Sequence, residues 1–120
     1  MEYLFKGIHL IVEGYSIDSK LLNNIDFFLT IFEKGIKNSN FSSCGNLVKK
    51  FSPNGITIII LLEESHISLH TYPEKNSFFL DIFTCGDSDP NLLYQEIEDE
   101  IKILNKGEIK IDKKILKRGK

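Results

Sequence analysis

The alternation of apolar and polar positions along the chain predicts a series of β-strands. In chain order, the predicted strands are residues 7–13, 56–62, 67–72, 77–85 and 108–116, with a weaker candidate at about residues 40–51. The most apolar of them, ITIIILL (56–62), is expected to be a central strand covered on both faces. Turn signals separate the strands. SPNG (52–55) contains residues that tolerate a positive φ, and Pro73 ends a strand because proline cannot donate to a ladder.

Two stretches with helical periodicity interrupt these strands. The first follows the candidate caps Ser16 and Asp18, and Lys34-Gly35 is expected to end it. Its packing face consists of Leu21, Ile25, Phe28, Leu29 and Phe32. The second begins with Asp89 as N-cap and Pro90 as the first helical residue, and Gly107 is expected to break it. Its inner face consists of Leu93, Ile97, Ile101 and Leu104.

The resulting order of elements, β-α-β-β-β-α-β, predicts one α+β domain over residues 1–120. We expect a two-layer sandwich, with two helices on one face of a mainly antiparallel sheet.

Composition and charge restrict the class of protein. The chain has 120 residues, of which 42% are hydrophobic and 27% charged, as in an ordinary globular domain. Its net charge of −2 and the lack of aromatic residues in the basic segment 106–120 exclude nucleic acid as the expected partner. No signal peptide or membrane-spanning run is visible, so we expect a cytoplasmic protein without membrane contact. Cys44 and Cys85 form no CxxC pattern and are not expected to pair, and Cys44 is interpreted as a small packing residue.

The most unusual stretch is EESHISLHTYPE (63–74), which places carboxylates, a serine and two histidines directly after the most apolar strand. No GxSxG turn and no glycine-rich phosphate loop accompany it. His66 and His70 share one face of a strand and, with Cys85, are candidate metal ligands. Isolated histidine pairs are common, however, and no metal is predicted.

Another alternative is that Ser65 modifies its own chain. In a strained turn its Oγ can attack the carbonyl carbon of Glu64 and convert the amide to an ester. β-Elimination then separates residues 1–64 from residues 65–120, and hydrolysis leaves a pyruvoyl group and ammonia. Such a ketone is an electron sink that replaces pyridoxal phosphate. From the residue types alone, this remains one alternative among several.

The longer pattern resembles the prokaryotic S-adenosylmethionine decarboxylase family. ESHISLHTYPE (64–74) and DIFTCGD (81–87) are similar to the family patterns ESH-(apolar)-x-(apolar)-HTWPE and D-(apolar)-FTCGD. FSPNG (51–55) resembles the family's F-x-P-x-G turn, and GIHLIVE (7–13) resembles its G-R-H-(apolar) opening. The resemblance covers essentially the whole chain. It implies a self-processing, pyruvoyl-dependent decarboxylase that acts on S-adenosylmethionine and feeds spermidine biosynthesis.

The resemblance also implies roles for five residues. Cleavage would fall between Glu64 and Ser65, and Ser65 would become the pyruvoyl cofactor that holds the substrate amine as a Schiff base. His70 matches the residue that removes the Cα proton during processing. Cys85 matches the acid that protonates the substrate carbon after CO₂ leaves. Thr57 stands where the family has a processing serine, and it keeps a hydroxyl group.

Substrate binding is implied for two residues. Phe51 matches an aromatic residue that stacks on adenine, and Glu74 matches the carboxylate that accepts hydrogen bonds from the ribose. The chain departs from the family nearby: Tyr72 replaces a tryptophan, residues 75–77 replace an aromatic-glycine segment, and Ile8 replaces an arginine. Substrate-contacting loops set the choice of ligand, so arginine or ornithine is the alternative substrate. Carboxylates available for such a basic amino acid are Glu13, Glu63, Glu74 and Asp81.

The resemblance implies a homodimer of two-chain protomers with the active site near the subunit contact. A single sandwich also leaves one sheet face or edge in need of cover. An alternative of another class is an uncleaved paralogue that regulates an active partner. The presence of Ser65, His70 and Cys85 argues against it.

Overall fold

The computed structural model describes residues 5–86 and 88–119, so Asp87 of the DIFTCGD motif lies outside the described residues. The strands are β1 (Lys6–Tyr15), β2 (Ser43–Lys50), β3 (Ile56–Leu62), β4 (His66–Tyr72), β5 (Ser77–Cys85) and β6 (Lys110–Gly119). The helices are α1 (Ser19–Leu22), α2 (Ile25–Asn38) and α3 (Pro90–Leu104), with a 3₁₀ turn at Pro73–Lys75. Among the described residues, no helix is both long enough and apolar enough to cross a membrane.

The six strands form one antiparallel sheet in the order β2-β3-β4-β5-β1-β6. Helices α2 and α3 pack against each other and share one core with the sheet, which confirms the predicted α+β class. The predicted order of elements was wrong in two respects. Four strands rather than three separate α2 from α3, and the first helical region consists of two helices, α1 and α2. The weaker candidate is a complete edge strand, β2, stabilised by its pairing with β3.

The core lies between the helices and one face of the sheet. Alternate residues of the strands are buried on this face, as the period of a strand requires. They include Leu10, Val12, Ile58, Ile60, Ile67, Leu69, Leu80 and Ile82, which pack with Phe28, Phe32, Leu93 and Ile97 from the helices. We call the opposite side the outer face. No helix among the described residues covers it.

The outer face explains a wrong prediction for β3, which was expected to be covered on both faces. Ile56, Ile58, Ile60 and Leu62 are buried, whereas Ile59 and Leu61 are 36% and 57% exposed. All three α-helices contribute buried residues to the core and lie on that side of the sheet. The apolar residues on the other side of β3 therefore remain at the surface of the protomer.

The first helical region differs from the prediction at both ends. Asp18 caps only the short α1, by accepting from the Lys20 N–H, and Asn24 caps a separate α2 by accepting from the Phe27 N–H (3.0 Å). Helix α2 continues past the expected stop at Gly35 to Asn38. A Cβ at Gly35 would lie 2.7 Å from Leu93 Cδ1, so this glycine permits the close approach of α2 and α3. The packing of α2 against α3 therefore accounts for the glycine at position 35, and the end of the helix does not.

The second helical region starts as predicted and ends earlier. The Asp89 carboxylate accepts from the Asn91 N–H (2.9 Å), and Pro90 is the first helical residue. The helix ends at Leu104, before Gly107, with Asn105 as C-cap. Leu104 is 52% exposed and does not belong to the inner face, because the last turn extends beyond the edge of the core.

Cys44 is exposed on edge strand β2, so the prediction that it is a small packing residue was wrong.

Candidate active site

Ser65 lies at the end of the tight turn that joins β3 to β4. The Leu62 N–H donates to the Ser65 carbonyl (2.9 Å), and the Ser65 N–H lies 3.4 Å from the Leu62 carbonyl, so Glu63 and Glu64 form the tip of a hairpin. Both glutamates are exposed, whereas Ser65 is 9% exposed. The peptide bond between Glu64 and Ser65 thus passes from solvent into the protein within one residue.

Cys85 contacts Ser65 through its backbone. The Cys85 N–H donates to Ser65 Oγ across 3.3 Å, which holds the hydroxyl at the end of β5. Immediately after Cys85 the chain turns at Gly86, whose φ of +69° suits glycine and whose N–H donates to the Lys6 carbonyl (2.8 Å). Cys85 is a free thiol and is partly buried. This geometry brings two of the predicted site residues together.

A cleft of about 320 Å³ lies beside Cys85. Two of its side chains were not singled out from the sequence: Phe83, and Arg118, whose guanidinium carbon is 5.8 Å from the centre of the Phe83 ring. Gly7 pairs with Cys85 on one side and with Arg118 on the other, so no side chain separates them. Phe83 could have been found from its strand phase, two residues before Cys85. Arg118 could not, because its position depends on the register of β6.

Thr57 and His70 form a second group. They are opposite one another on β3 and β4, and a hydrogen bond of 2.9 Å joins Thr57 Oγ1 to His70 Nδ1. Both side chains are half-buried. The Thr57 hydroxyl, which stands where the family has a serine, therefore contacts His70, the residue for which the resemblance implies a processing role. It can orient the His70 imidazole ring.

The two predicted substrate-binding residues lie with this second group. Phe51 and Glu74 line a cleft of about 330 Å³ together with Thr57, His70 and Tyr72. Phe51 is 47% exposed and Tyr72 is 39% exposed, so two aromatic rings are available at the cleft. A carboxylate and aromatic faces in one cleft can bind a group that carries hydroxyls and a flat ring.

The base of this cleft is fixed by Thr71. Its buried hydroxyl accepts from the Ile56 N–H (2.9 Å) and donates to the Leu22 carbonyl (2.8 Å). Gly55 has a φ of +103° and its carbonyl accepts from the Phe51 N–H (2.8 Å), which closes the FSPNG turn. The turn and the threonine thus set the position of Phe51.

The pair Ser65 and Cys85 and the pair Thr57 and His70 lie toward opposite ends of β4. His66 lies opposite Leu61 and Phe83, whereas His70 lies opposite Thr57 and Phe79. Ser65 and His70 are five residues apart on an extended chain, which corresponds to about 16 Å. One protomer therefore brings Ser65 to Cys85, and His70 to Thr57, but it does not bring Ser65 to His70.

Comparisons with known proteins identify the class to which this fold and these residues belong. The sequence model of the S-adenosylmethionine decarboxylase family matches residues 8–113. The chain belongs to this family.

Individual relatives agree with the family assignment. The chain is 34% identical over 113 residues to an S-adenosylmethionine decarboxylase proenzyme of Sulfurihydrogenibium sp. (strain YO3AOP1). The aligned region covers 94% of this chain and 82% of that relative. It is 36% identical over 116 residues to S-adenosylmethionine decarboxylase proenzyme 2 of Bacillus cereus (strain ZK / E33L), covering 96% and 92%. The crystal structure of the adenosylmethionine decarboxylase from Aquifex aeolicus VF5 superimposes with a TM-score of 0.77 at 30% identity, covering 97% and 92%.

Proposed function

We propose that this chain is a self-processing, pyruvoyl-dependent decarboxylase that converts S-adenosylmethionine to its decarboxylated form in the cytoplasm, for spermidine biosynthesis. Membership of the S-adenosylmethionine decarboxylase family supports the reaction. The observation that carries the role of Ser65 is its position: it is buried directly after an exposed hairpin tip, with its Oγ held by the Cys85 N–H.

The first step is an acyl shift at the hairpin. Ser65 Oγ attacks the carbonyl carbon of Glu64, and the C–N bond between the two residues breaks as the ester forms. A base then removes the Cα proton of residue 65, and the ester C–O bond breaks. Glu64 leaves as a new C-terminal carboxylate, and residue 65 becomes dehydroalanine. One water molecule is consumed as ammonia departs, which leaves chains of residues 1–64 and 65–120.

The residues present fit a pyruvoyl group at position 65. The precursor hydroxyl is present, and its neighbour Glu64 is exposed and free to separate after cleavage. When formed, the group supplies a ketone that accepts the electrons released with CO₂. Cys85 would then protonate the substrate carbon from the end of β5, where its backbone N–H contacts Ser65 Oγ. Phe83 and Arg118 line the cleft beside the thiol.

We infer that a second copy of the chain completes the site. About 16 Å of extended strand separates Ser65 from His70, so a histidine that acts on residue 65 must come from another protomer. The same holds for Phe51 and Glu74, which share the cleft of His70. The outer face offers a surface for this contact, since its exposed apolar residues include Leu47, Ile59, Leu61, Phe79 and Leu116.

The experiment is a decarboxylation assay with S-adenosylmethionine, arginine and ornithine, each labelled in the carboxyl group. We expect CO₂ release from S-adenosylmethionine alone. Preference for either basic amino acid would contradict the proposed substrate, and release from none by a fully cleaved, dimeric protein would contradict the reaction.

Matched cysteine variants make the assay specific for Cys85. Cys85→Ser should still cleave itself but lose at least about 100-fold in turnover, because a positioned acid contributes 10²–10⁴-fold. Cys44→Ser changes the exposed thiol on β2 and should retain both activities. Equal turnover in the two variants would remove Cys85 from the mechanism.

A further inference from the structure

His9, His66 and Asp81 converge on the outer face, and no step of the proposed function uses them. His9 on β1 and His66 on β4 both lie opposite Phe83 of β5, one on each side, and Asp81 is the next residue of β5 on the same face. One donor atom from each of the three side chains lies within 4.8 Å of the other two. All three residues are half-buried.

Neighbouring side chains hold these groups in place. His9 Nε2 lies 2.8 Å from Asp81 Oδ2, and the Ser68 hydroxyl donates to the other carboxylate oxygen, Oδ1. The His66 ring stacks on Phe83 at 5.9 Å, and the His9 ring meets Phe83 edge-on at 5.8 Å. The carboxylate is thus oriented by a serine and the imidazoles by one aromatic ring. Hydrogen bonds of this kind to a ligating carboxylate are typical of metal sites.

We propose that His9, His66 and Asp81 bind a divalent transition-metal ion, with Zn²⁺ as the expected ligand. Two imidazole nitrogens and one carboxylate oxygen, with a coordination position left open, are a donor set that zinc uses. Bonds of about 2.0–2.1 Å at tetrahedral angles place ligand atoms about 3.3 Å apart. The widest separation is at most 4.8 Å and must therefore shorten by up to about 1.5 Å, whereas the 2.8 Å between His9 Nε2 and Asp81 Oδ2 must lengthen by about 0.5 Å. Rotation of the side chains about χ1 and χ2 can supply both changes.

These three ligands differ from the candidates that the sequence offers. The sequence analysis names His66, His70 and Cys85 as candidate ligands and predicts no metal. The register places His70 beside Thr57, four residues along β4 from His66, and brings His9 and Asp81 to His66 instead. Residues from three strands meet here, so spacing along the sequence gives no sign of the site. The proposal does not depend on the proposed decarboxylase function.

The test is metal titration of the intact, full-length protein after treatment with a chelator. We expect one Zn²⁺ per chain by calorimetry, and a Co²⁺ absorption spectrum of nitrogen and oxygen ligation without a thiolate band. His66→Gln and Asp81→Asn should each weaken binding by at least about tenfold, and Ser68→Ala by about tenfold through the loss of its hydrogen bond. Acidification should weaken binding because protons compete for the imidazole nitrogens.

One variant serves as the control in the same titration. Cys44→Ser removes the exposed thiol and should bind Zn²⁺ as the unaltered chain does. Circular dichroism establishes that each variant is folded. The proposal is overturned if the folded unaltered chain binds no Zn²⁺ or Co²⁺. Unchanged affinity in both His66→Gln and Asp81→Asn, or loss of binding in Cys44→Ser, would overturn it too.

Discussion

Combining a Ser65→Ala chain with a His70→Ala chain separates the two halves of the proposed active site. We expect neither variant to cleave alone, because the first lacks the attacking hydroxyl and the second lacks the base. A mixed dimer has one complete site, in which Ser65 of the His70→Ala chain meets His70 of the Ser65→Ala chain. This expectation follows from the separation of about 16 Å along β4, which a single protomer does not close.

The symmetry of a dimer sets the amount of cleavage. If equal amounts of the two chains pair at random, about half of the dimers are mixed. Only the His70→Ala chain of a mixed dimer is cleaved, so about half of the His70→Ala chains and about a quarter of all chains should be cut. If His70 acts within its own chain, none should be cut.

The assay is co-expression of the two variants with different affinity tags, followed by mass spectrometry under denaturing conditions. Purification through both tags in succession isolates the mixed dimers, in which every His70→Ala chain should be cleaved. As a control, the unaltered chain paired with Ser65→Ala should be cleaved completely. Uncut His70→Ala chains in isolated mixed dimers would contradict a site shared by two protomers, as would complete cleavage of His70→Ala expressed alone.

The remaining predictions concern stability and are measured by urea denaturation. A Cβ at Gly14 would overlap the buried Phe78 ring, so Gly14→Ala should destabilise the fold by about 1–3 kcal/mol, and an unchanged midpoint would contradict this contact. Thr71→Val leaves a buried N–H and a buried carbonyl without their hydroxyl partner and should cost about 2–4 kcal/mol, whereas a loss below about 0.5 kcal/mol would mean that both groups find other partners. Burial raises the pKa of Glu98, but the hydrogen bond from Lys102 (2.9 Å), the nearby Tyr94 hydroxyl and the positive charges of Lys102 and Lys113 together outweigh burial and hold the pKa below its ordinary value. The stability that Glu98 contributes is therefore present above the ordinary glutamate pKa and is lost as the pH falls through the lower pKa of the folded state. Glu98→Gln should be less stable than the unaltered chain at neutral pH and should approach it in acid, and a difference independent of pH would contradict the ion pair.

The sequence was sufficient for features that depend on neighbouring residues. The alternation in residues 77–85 predicted β5 with its observed bounds, and Asp89-Pro90 predicted the start of α3. In each case the signal lies within a few residues, where turn and capping preferences act.

Features that depend on distant residues were not predictable in this way. Gly35 was expected to end a helix, whereas its lack of a side chain serves the approach of Leu93 from α3. The exposed side of β3 depends on which face the helices occupy. The contact of Thr57 with His70 needs the pairing of β3 with β4, and the position of Arg118 beside Cys85 needs the pairing of β6 with β1. Pairing across a sheet is not encoded in the spacing of any one segment.

The most direct test of self-processing at Ser65 is the intact mass of the purified protein under denaturing conditions, with Ser65→Ala as the control. We expect two chains that separate between Glu64 and Ser65, of which the second is lighter by one ammonia than a chain that begins with serine. Ser65→Ala should remain a single chain of full mass. A single uncleaved chain from the unaltered, folded and dimeric protein would contradict self-processing at Ser65.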